Sequence, residues 1–305
     1  MLARGQCLDR SVPEYPTAAG KPLCFLRDPT HMPVLTPLLM LGTLALGTIA
    51  GTLGTLFGLG GGVFLVPFLV LVVGMPFQAA AAVSLTTVIA TSSAVSAATM
   101  GRRLINLRLG MVLEIATAAG GLAGGLTAQT LSPRTLQMLF AALTLAIGVV
   151  TLGRLRHSGE LAVTEPGTFG GQYFDESLRQ TVTYQVRRFP LAFLASLLAG
   201  NVSTLLGVGG GIIKVPVLTA WCGVPIRAAA ATSAFMIGVT ATSGAVIYYG
   251  HGDLVPELAA AAVLGVQIGS ACGMRFGPRL SPRALHILLA LVLFTVAALM
   301  LARAR

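Results

Sequence analysis

Eight apolar stretches, near residues 36–57, 77–100, 109–129, 134–152, 190–206, 226–249, 254–273 and 283–302, each approach the roughly 20 residues a helix needs to cross hydrocarbon. Lipid offers no hydrogen-bond partners, so a spanning segment must satisfy its own backbone, and a helix does that alone. With 55% hydrophobic and only 10% charged residues, and a mean hydropathy of +0.84, the chain has too little polar surface to coat a water-soluble globule. The expected fold is an all-α polytopic membrane protein with about eight transmembrane helices.

The formal charge of +10 would point to a nucleic-acid partner in a soluble protein. Here the basic residues lie between the apolar runs, where they report membrane orientation, and no nucleic acid is expected. Arg102, Arg103 and Arg108 share one short connection, and Arg154, Arg156, Arg179, Arg187 and Arg188 lie in the central polar stretch. Both segments are read as cytoplasmic. Four cysteines without metal-ligand spacing give neither a disulfide framework nor a metal site, and four scattered histidines add none; no cofactor is expected. Residues 1–35 contain no continuous apolar core of a signal peptide and are expected to form a polar cytoplasmic leader, with translation starts at Met32 or Met40 left open.

The chain repeats itself. "GLGGGVFLVPFL" begins at Gly58 and "GVGGGIIKVPVL" at Gly207, an offset of 207 − 58 = 149. At that offset Pro67 meets Pro216, Gly74 meets Gly223, Pro76 meets Pro225 and Ser84 meets Ser233, and "LSPR" at 131 meets "LSPR" at 280. Small compensating gaps are expected after Gly101 and Gly250. The organisation expected is a leader (1–35), a first transmembrane repeat (36–152), a polar linker (153–189) acting as a solvated tether, and a second repeat (190–305). The two halves are then homologous four-helix units, each with a glycine-broken, re-entrant segment.

Residues 62–73 would measure only about 18 Å as a helix, short for a crossing. Taken as re-entrant, they give four crossings per half, parallel repeats and cytoplasmic termini, at the cost of placing Arg275, Arg279 and Arg283 outside. A crossing at this position would instead invert the halves.

Irregular backbone at membrane depth is tolerated where it faces a cavity, so two matching breaks predict a cavity between the repeats. Gly58, Gly60, Gly61 and Gly62, and Gly207, Gly209, Gly210 and Gly211, allow dihedrals and close approaches closed to other residues. Pro67 and Pro216 are expected to kink or end the short helix that follows each break. The start of such a helix presents free N–H groups to an anion. Lys214 is the one basic residue deep in an apolar run; its repeat counterpart is Leu65, and leaving it unpaired costs on the order of 3 kcal/mol. It is a candidate substrate contact, with snorkelling to the interface as the alternative. Ser84, Thr87 and Thr91 form a hydroxyl stripe whose ends recur at Ser233 and Thr240, suited to an oxyanion or to helix packing. Asn201 and Gln267 are candidate cavity liners. Carboxylates are scarce: Asp253 and Glu257 lie at the start of the seventh helix, and Glu114, expected at the interface with a deeper place as the alternative, is the one acid that could serve a proton relay, a shortage that argues mildly against protons.

The paired Gly-x-Gly-Gly-Gly-x-x-x-Val-Pro segments, each followed by Pro-x-x-Ala-Ala-Ala and a Ser/Thr-rich helix, resemble the sulfite exporter TauE/SafE family of membrane permeases over about residues 40–302. "GGQYFDES" and "YQVRRFP" in the linker are similar to one bacterial subgroup of it. The resemblance implies a multi-pass inner-membrane permease for a small inorganic or organic sulfur anion such as sulfite, sulfoacetate or thiosulfate, and not an enzyme. It carries over no catalytic residues. The expected function is secondary transport by alternating access between the repeats, with homo-oligomerisation open; export of a monoanion would gain about 2.3 kcal/mol per 100 mV without a coupling ion. The alternatives are a structural or assembly subunit whose glycines only pack helices and, ranking below it, an intramembrane enzyme.

Overall fold

A computed structural model describes residues 37–57, 60–100, 104–153, 169–175, 180–276 and 282–304. Ten helices lie among them: α1 (Pro37–Phe57), α2 (Gly62–Leu71), α3 (Phe77–Met100), α4 (Leu107–Thr130), α5 (Pro133–Gly153), α6 (Phe189–Leu206), α7 (Gly211–Ala220), α8 (Ile226–Gly250), α9 (Pro256–Phe276) and α10 (Pro282–Ala304). Six of them, α1, α3, α4, α6, α8 and α9, are long and apolar enough to cross a membrane, and the chain is a multi-pass helical membrane protein. Large apolar side chains such as Leu41, Met111, Ile115, Leu198, Val246 and Leu264 stand exposed around the bundle, as lipid contact requires.

The starts of α2, α3, α4 and α5 and of α7, α8, α9 and α10 all differ by 149, so no gaps are needed after Gly101 and Gly250. Proline sits just before or at most of these starts, where its missing N–H costs nothing. Pro67 and Pro216 do not end the short helices as expected. Both lie inside them, and the chain leaves the helix at Gly74 (φ 77°) and Gly223 (φ 74°), left-handed positions that glycine takes without strain.

Helices pair crosswise: α1 packs against α9, α4 against α6, α3 against α8 and α5 against α10, each pair joining the two halves. The halves are therefore interlocked and are not two separate bundles. Glycine makes the close pairs possible. A Cβ at Gly51 would strike the carbonyl of Val266, and one at Gly200 the carbonyl of Thr117; Gly269 abuts Thr48 as Gly120 abuts Leu197, and Gly273 abuts Thr52 as Gly124 abuts Asn201. Every one of these contacts recurs at a shift of 149 in both partners. In lipid, where burial of apolar surface drives little, such backbone approach supplies the association energy.

Inter-element bonds sort the helix ends into two groups. Gln78 at the start of α3 donates to Leu131 O (3.3 Å), Gln129 near the end of α4 to Asp253 Oδ2 (2.8 Å), and Arg303 at the end of α10 to Leu71 O at the end of α2 (3.2 Å). Since α1 runs parallel to α9, its start belongs to this end too. At the other end, the Asn106 N–H before α4 donates to Thr232 Oγ1 near the start of α8 (2.9 Å), and Arg187 N, before α6, donates to Cys222 O, after α7 (2.9 Å). The first and last described helices thus begin and finish at the end opposite the linker.

The linker is more than a tether. Strands β1 (Gly171–Asp175) and β2 (Gln180–Tyr184) form an antiparallel hairpin with Tyr173 opposite Val182. Tyr173 and Tyr184 are buried in a cluster with Leu109 and Leu113 of α4, Ala192 of α6, Leu218 of α7 and Met236 of α8. Asn106 fastens it: its Nδ2 donates to Phe169 O (2.9 Å) and Tyr184 Oη (3.1 Å), while its Oδ1 caps α4 by accepting from Leu109 N (3.0 Å).

Candidate functional site

Both glycine clusters interrupt helices. Gly60 (φ 80°) and Gly61 (φ 75°) turn the chain between α1 and α2, and Gly207 (φ 69°) and Gly209 (φ 84°) do so between α6 and α7. Gly58 lies outside the described residues. Gly210 caps α7 in an ordinary right-handed conformation, and Gly211 opens it. The chain reverses at each break: Gly61 packs back against Ala50, and Gly210 against Ala199. Neither α2 nor α7 has a side-chain cap, so the first N–H groups of each are left for a ligand, water or a neighbouring group.

The two breaks meet. Gly62, the first residue of α2, faces the carbonyl of Gly207 so closely that a Cβ would strike it and Ser84 Oγ. Ser84 donates to that same carbonyl at 2.6 Å, pinning α3 to the opposite break. The other stripe hydroxyls are likewise spent on backbone: Thr87 on Ser84 O (2.7 Å) and Thr91 on Thr87 O (2.8 Å), with Thr91 also 3.4 Å from Gly60 O. On α3, then, the hydroxyls serve packing. Ser233 Oγ is buried without a partner among the described residues. Gln267 Nε2 is taken by Ala90 O (3.2 Å), and Asn201 is half-buried on α6 against Gly124.

Lys214 does not snorkel. Only 2% of it is exposed, and Nζ donates to Thr240 Oγ1 at 3.1 Å. Thr240 in turn donates to Glu114 Oε1 at 3.0 Å. Glu114 is therefore not an interfacial acid. It is 9% exposed and faces inward from α4, and its second oxygen, Oε2, is buried without a hydrogen bond. Ser203 Oγ on α6 is equally unpartnered, and Ser203 and Lys214 flank the same glycine, with a Cβ at Gly210 falling 3.3 Å from Lys214 Cε and 3.5 Å from Ser203 Cβ. The second break thus gathers a buried ammonium, a buried carboxylate and unspent acceptors and donors beside the free start of α7.

Sequence did hold a signal for Glu114. Gly110, Glu114, Thr117, Gly121 and Gly124 follow helical spacing, so the acid belongs to the small-residue face that packs on α6 and α8. A hollow beside the first break, lined by Gly54, Gly60, Thr91, Ser92, Val95, Ala234 and Ile237, leaves about 10 Å³ for the centre of a water molecule, room for roughly one water. An oxyanion is larger, so this structure shows the breaks closed upon each other.

The family model for "Sulfite exporter TauE/SafE" matches residues 43–300, taking in both breaks and every helix that carries them. The chain belongs to the TauE/SafE family. Its similarity to the "Probable membrane transporter protein YunE" of Bacillus subtilis (strain 168) is 25% identity over 259 residues, covering 82% of this chain and 93% of that one. The "Probable membrane transporter protein MJ0441" of Methanocaldococcus jannaschii is 23% identical over 283 residues, covering 88% and 96%. No solved structure matches the chain. As a TauE/SafE protein with six or more apolar helices, it is a membrane transporter. Among the described residues no group of His, Cys, Asp and Glu could hold a metal ion.

Proposed function

We propose that this transporter is a secondary carrier of a small sulfur oxyanion, of the sulfite, sulfoacetate or thiosulfate class, held at the second break. One observation supports this above the rest: Lys214, nearly wholly buried, stands beside the uncapped start of α7 with one of its three N–H donors engaged. An ammonium and a helix N-terminus together suit a small anion. The family's name fits an oxyanion of sulfur. Packing alone accounts for Gly120, Gly200 and Gly269, yet it gives no reason to bury Lys214.

The layout is proposed as two inverted repeats, α1–α5 and α6–α10. Each short helix runs back along its predecessor, so the pairs α1–α2 and α6–α7 enter and leave by one end of the bundle, and the three following helices make an odd count. Eight full-length helices and two of about 15 Å result. Arg108, Arg187, Arg188, Arg227 and Arg275 then share the hairpin end, whereas the other end holds Arg134 and Arg303 with Asp253 and Glu257. By the distribution of positive charge the hairpin end is cytoplasmic in an inner membrane, and the start of α1 and the finish of α10 face outside. This replaces the expectation of cytoplasmic termini and removes the discord at Arg275. Because the halves interlock through α1–α9 and α4–α6, alternating access is better served by movement of the α1–α2 and α6–α7 hairpins than by rocking of whole halves.

The test is uptake of labelled sulfite, thiosulfate and sulfoacetate into proteoliposomes containing the full chain, with the membrane potential set to either sign. Saturable flux of at least one is expected. Absence of flux for all three overturns the substrate class.

A further inference from the structure

The buried polar groups at the second break do not cancel cleanly, and the imbalance has a use. Lys214 Nζ reaches Glu114 through the Thr240 hydroxyl, which accepts from the ammonium and has its one proton within reach of both Glu114 Oε1 and Met236 O, each at 3.0 Å. An ion pair kept solely for structure would spend its remaining valences, since each unpaired buried polar group costs on the order of 1–3 kcal/mol. Here Glu114 Oε2 has no partner, and neither does the nearby Ser203 Oγ. No other charge intervenes. Among the described residues α7 carries no other ionisable side chain, and α6 carries none. On α8, Arg227 lies about 20 Å along the helix from Thr240 and the tyrosines at 248 and 249 about 12 Å the other way. On α4, Arg108 is about 9 Å along the helix from Glu114.

Counting charge at this site gives the same sum for two states. Empty, it holds an ammonium and a carboxylate and is neutral. An anion arriving at Lys214 would leave a net negative charge buried at membrane depth, a state that costs several kcal/mol. If a proton binds Glu114 Oε2 at the same time, the site is again neutral: ammonium, carboxylic acid and anion. The proton comes from the aqueous side that the anion comes from, and both leave together. From this geometry we infer that Glu114 is a proton-binding site coupled to the anion through Thr240 and Lys214, so that a monoanion such as hydrogensulfite or a simple sulfonate moves with one proton electroneutrally, and a dianion such as thiosulfate or sulfoacetate moves with one proton and one net negative charge. The argument against protons rested on a shortage of buried acids, and Glu114, the one candidate, is buried.

This inference rests on the anion site proposed above, and the experiment keeps the two apart. Proteoliposomes with the full chain are given labelled methanesulfonate or sulfoacetate in the bath under zero membrane potential. A lumen more alkaline than the bath by one unit should drive methanesulfonate accumulation to about tenfold, the ratio that one coupled proton supports. In Glu114→Gln, whatever flux remains should ignore the gradient. In detergent, binding of methanesulfonate to the wild-type protein should take up a proton from weakly buffered dye solution, and the Glu114→Gln protein should take up none. Methanesulfonate flux that ignores the gradient in wild type, or proton-driven accumulation that persists in Glu114→Gln, overturns the coupling and leaves the anion site standing. Absence of flux and of binding for both anions removes the site and the coupling with it. The wild-type gradient measurement decides the matter even where the variant does not fold.

Discussion

The break between α1 and α2 and the break between α6 and α7 have the same shape and different chemistry. Both turn at left-handed glycines, both open an uncapped helix of ten residues, and both pass a proline within it. Shifting by 149 puts Leu65 where Lys214 stands, Thr91 where Thr240 stands and Val263 where Glu114 stands. At the first break, Leu65 is buried among apolar neighbours and Thr91 meets only backbone carbonyls, whereas Thr240 meets Lys214 and Glu114 besides its own backbone acceptor, Met236 O. At the second, the same backbone frames a charged network. The comparison teaches that glycine geometry makes a place for a ligand and does not by itself choose one; choice needs charge, and only one of the two places has it.

The largest effect that would test this contrast is loss of the ammonium. Lys214→Leu, which makes the second break resemble the first, is expected to lower kcat/KM for anion uptake on the order of 100-fold, about 3 kcal/mol for a charged hydrogen bond. The paired control Leu65→Ala should keep anion affinity. Unchanged KM in Lys214→Leu, measured in proteoliposomes, would make the two breaks functionally alike.

Next come the glycines, which the structure separates. Gly207→Ala forces a side chain into a left-handed φ of 69° and to 2.8 Å from Ala81 Cα, so a stability loss of about 1–3 kcal/mol is expected, read as a lower Tm in detergent. Gly210→Ala has an ordinary φ of −72°, and its Cβ would sit 3.3 Å from Lys214 Cε. Its fold should survive while its anion KM shifts several-fold. Equal behaviour of the two variants would show that the turn and the site are one thing.

A smaller difference is expected between the repeat-related serines. Ser84→Ala removes the 2.6 Å bond to Gly207 O and should cost about 1 kcal/mol. Ser233→Ala should cost less, because its hydroxyl has no partner among the described residues. An equal loss of Tm would restore symmetry at this contact. The smallest effect concerns the hairpin, which packs near Leu218 at the end of α7 away from the second break. Burial, partly offset by the bond from Asn106, pushes the Tyr184 phenol above its ordinary value, so it stays protonated at neutral pH. Tyr184→Phe is expected to lose about 0.5–1 kcal/mol, measured by thermal unfolding.

Much of this was legible in the residues. The eight apolar runs match α1, α3, α4, α5, α6, α8, α9 and α10 within a few positions, and the helices after the breaks begin just past Pro76 and Pro225. The second of the linker's strands could also have been read, since Val182 and Tyr184 alternate with Thr181 and Thr183 in "QTVTY". Glu114 was readable from its place on the glycine face of α4. The fold-back after each break was expected from the shortness of residues 62–73; what could not be read is that α2 returns the chain to the end where α1 begins, because the path taken after a left-handed glycine depends on what the returning helix packs against.

By itself, the sequence determined that this chain lives in a bilayer, where its helices begin and end, and that two breaks recur 149 residues apart, because hydropathy, helical period and glycine dihedrals are local properties. Tertiary structure alone decided that α1 pairs with α9 and α4 with α6, that the linker and the chain's outer helices lie at opposite ends, and that Glu114 and Lys214, a hundred residues apart, share one hydroxyl. Such meetings are set by which backbones can approach closely across the whole bundle, and no local pattern contains that sum.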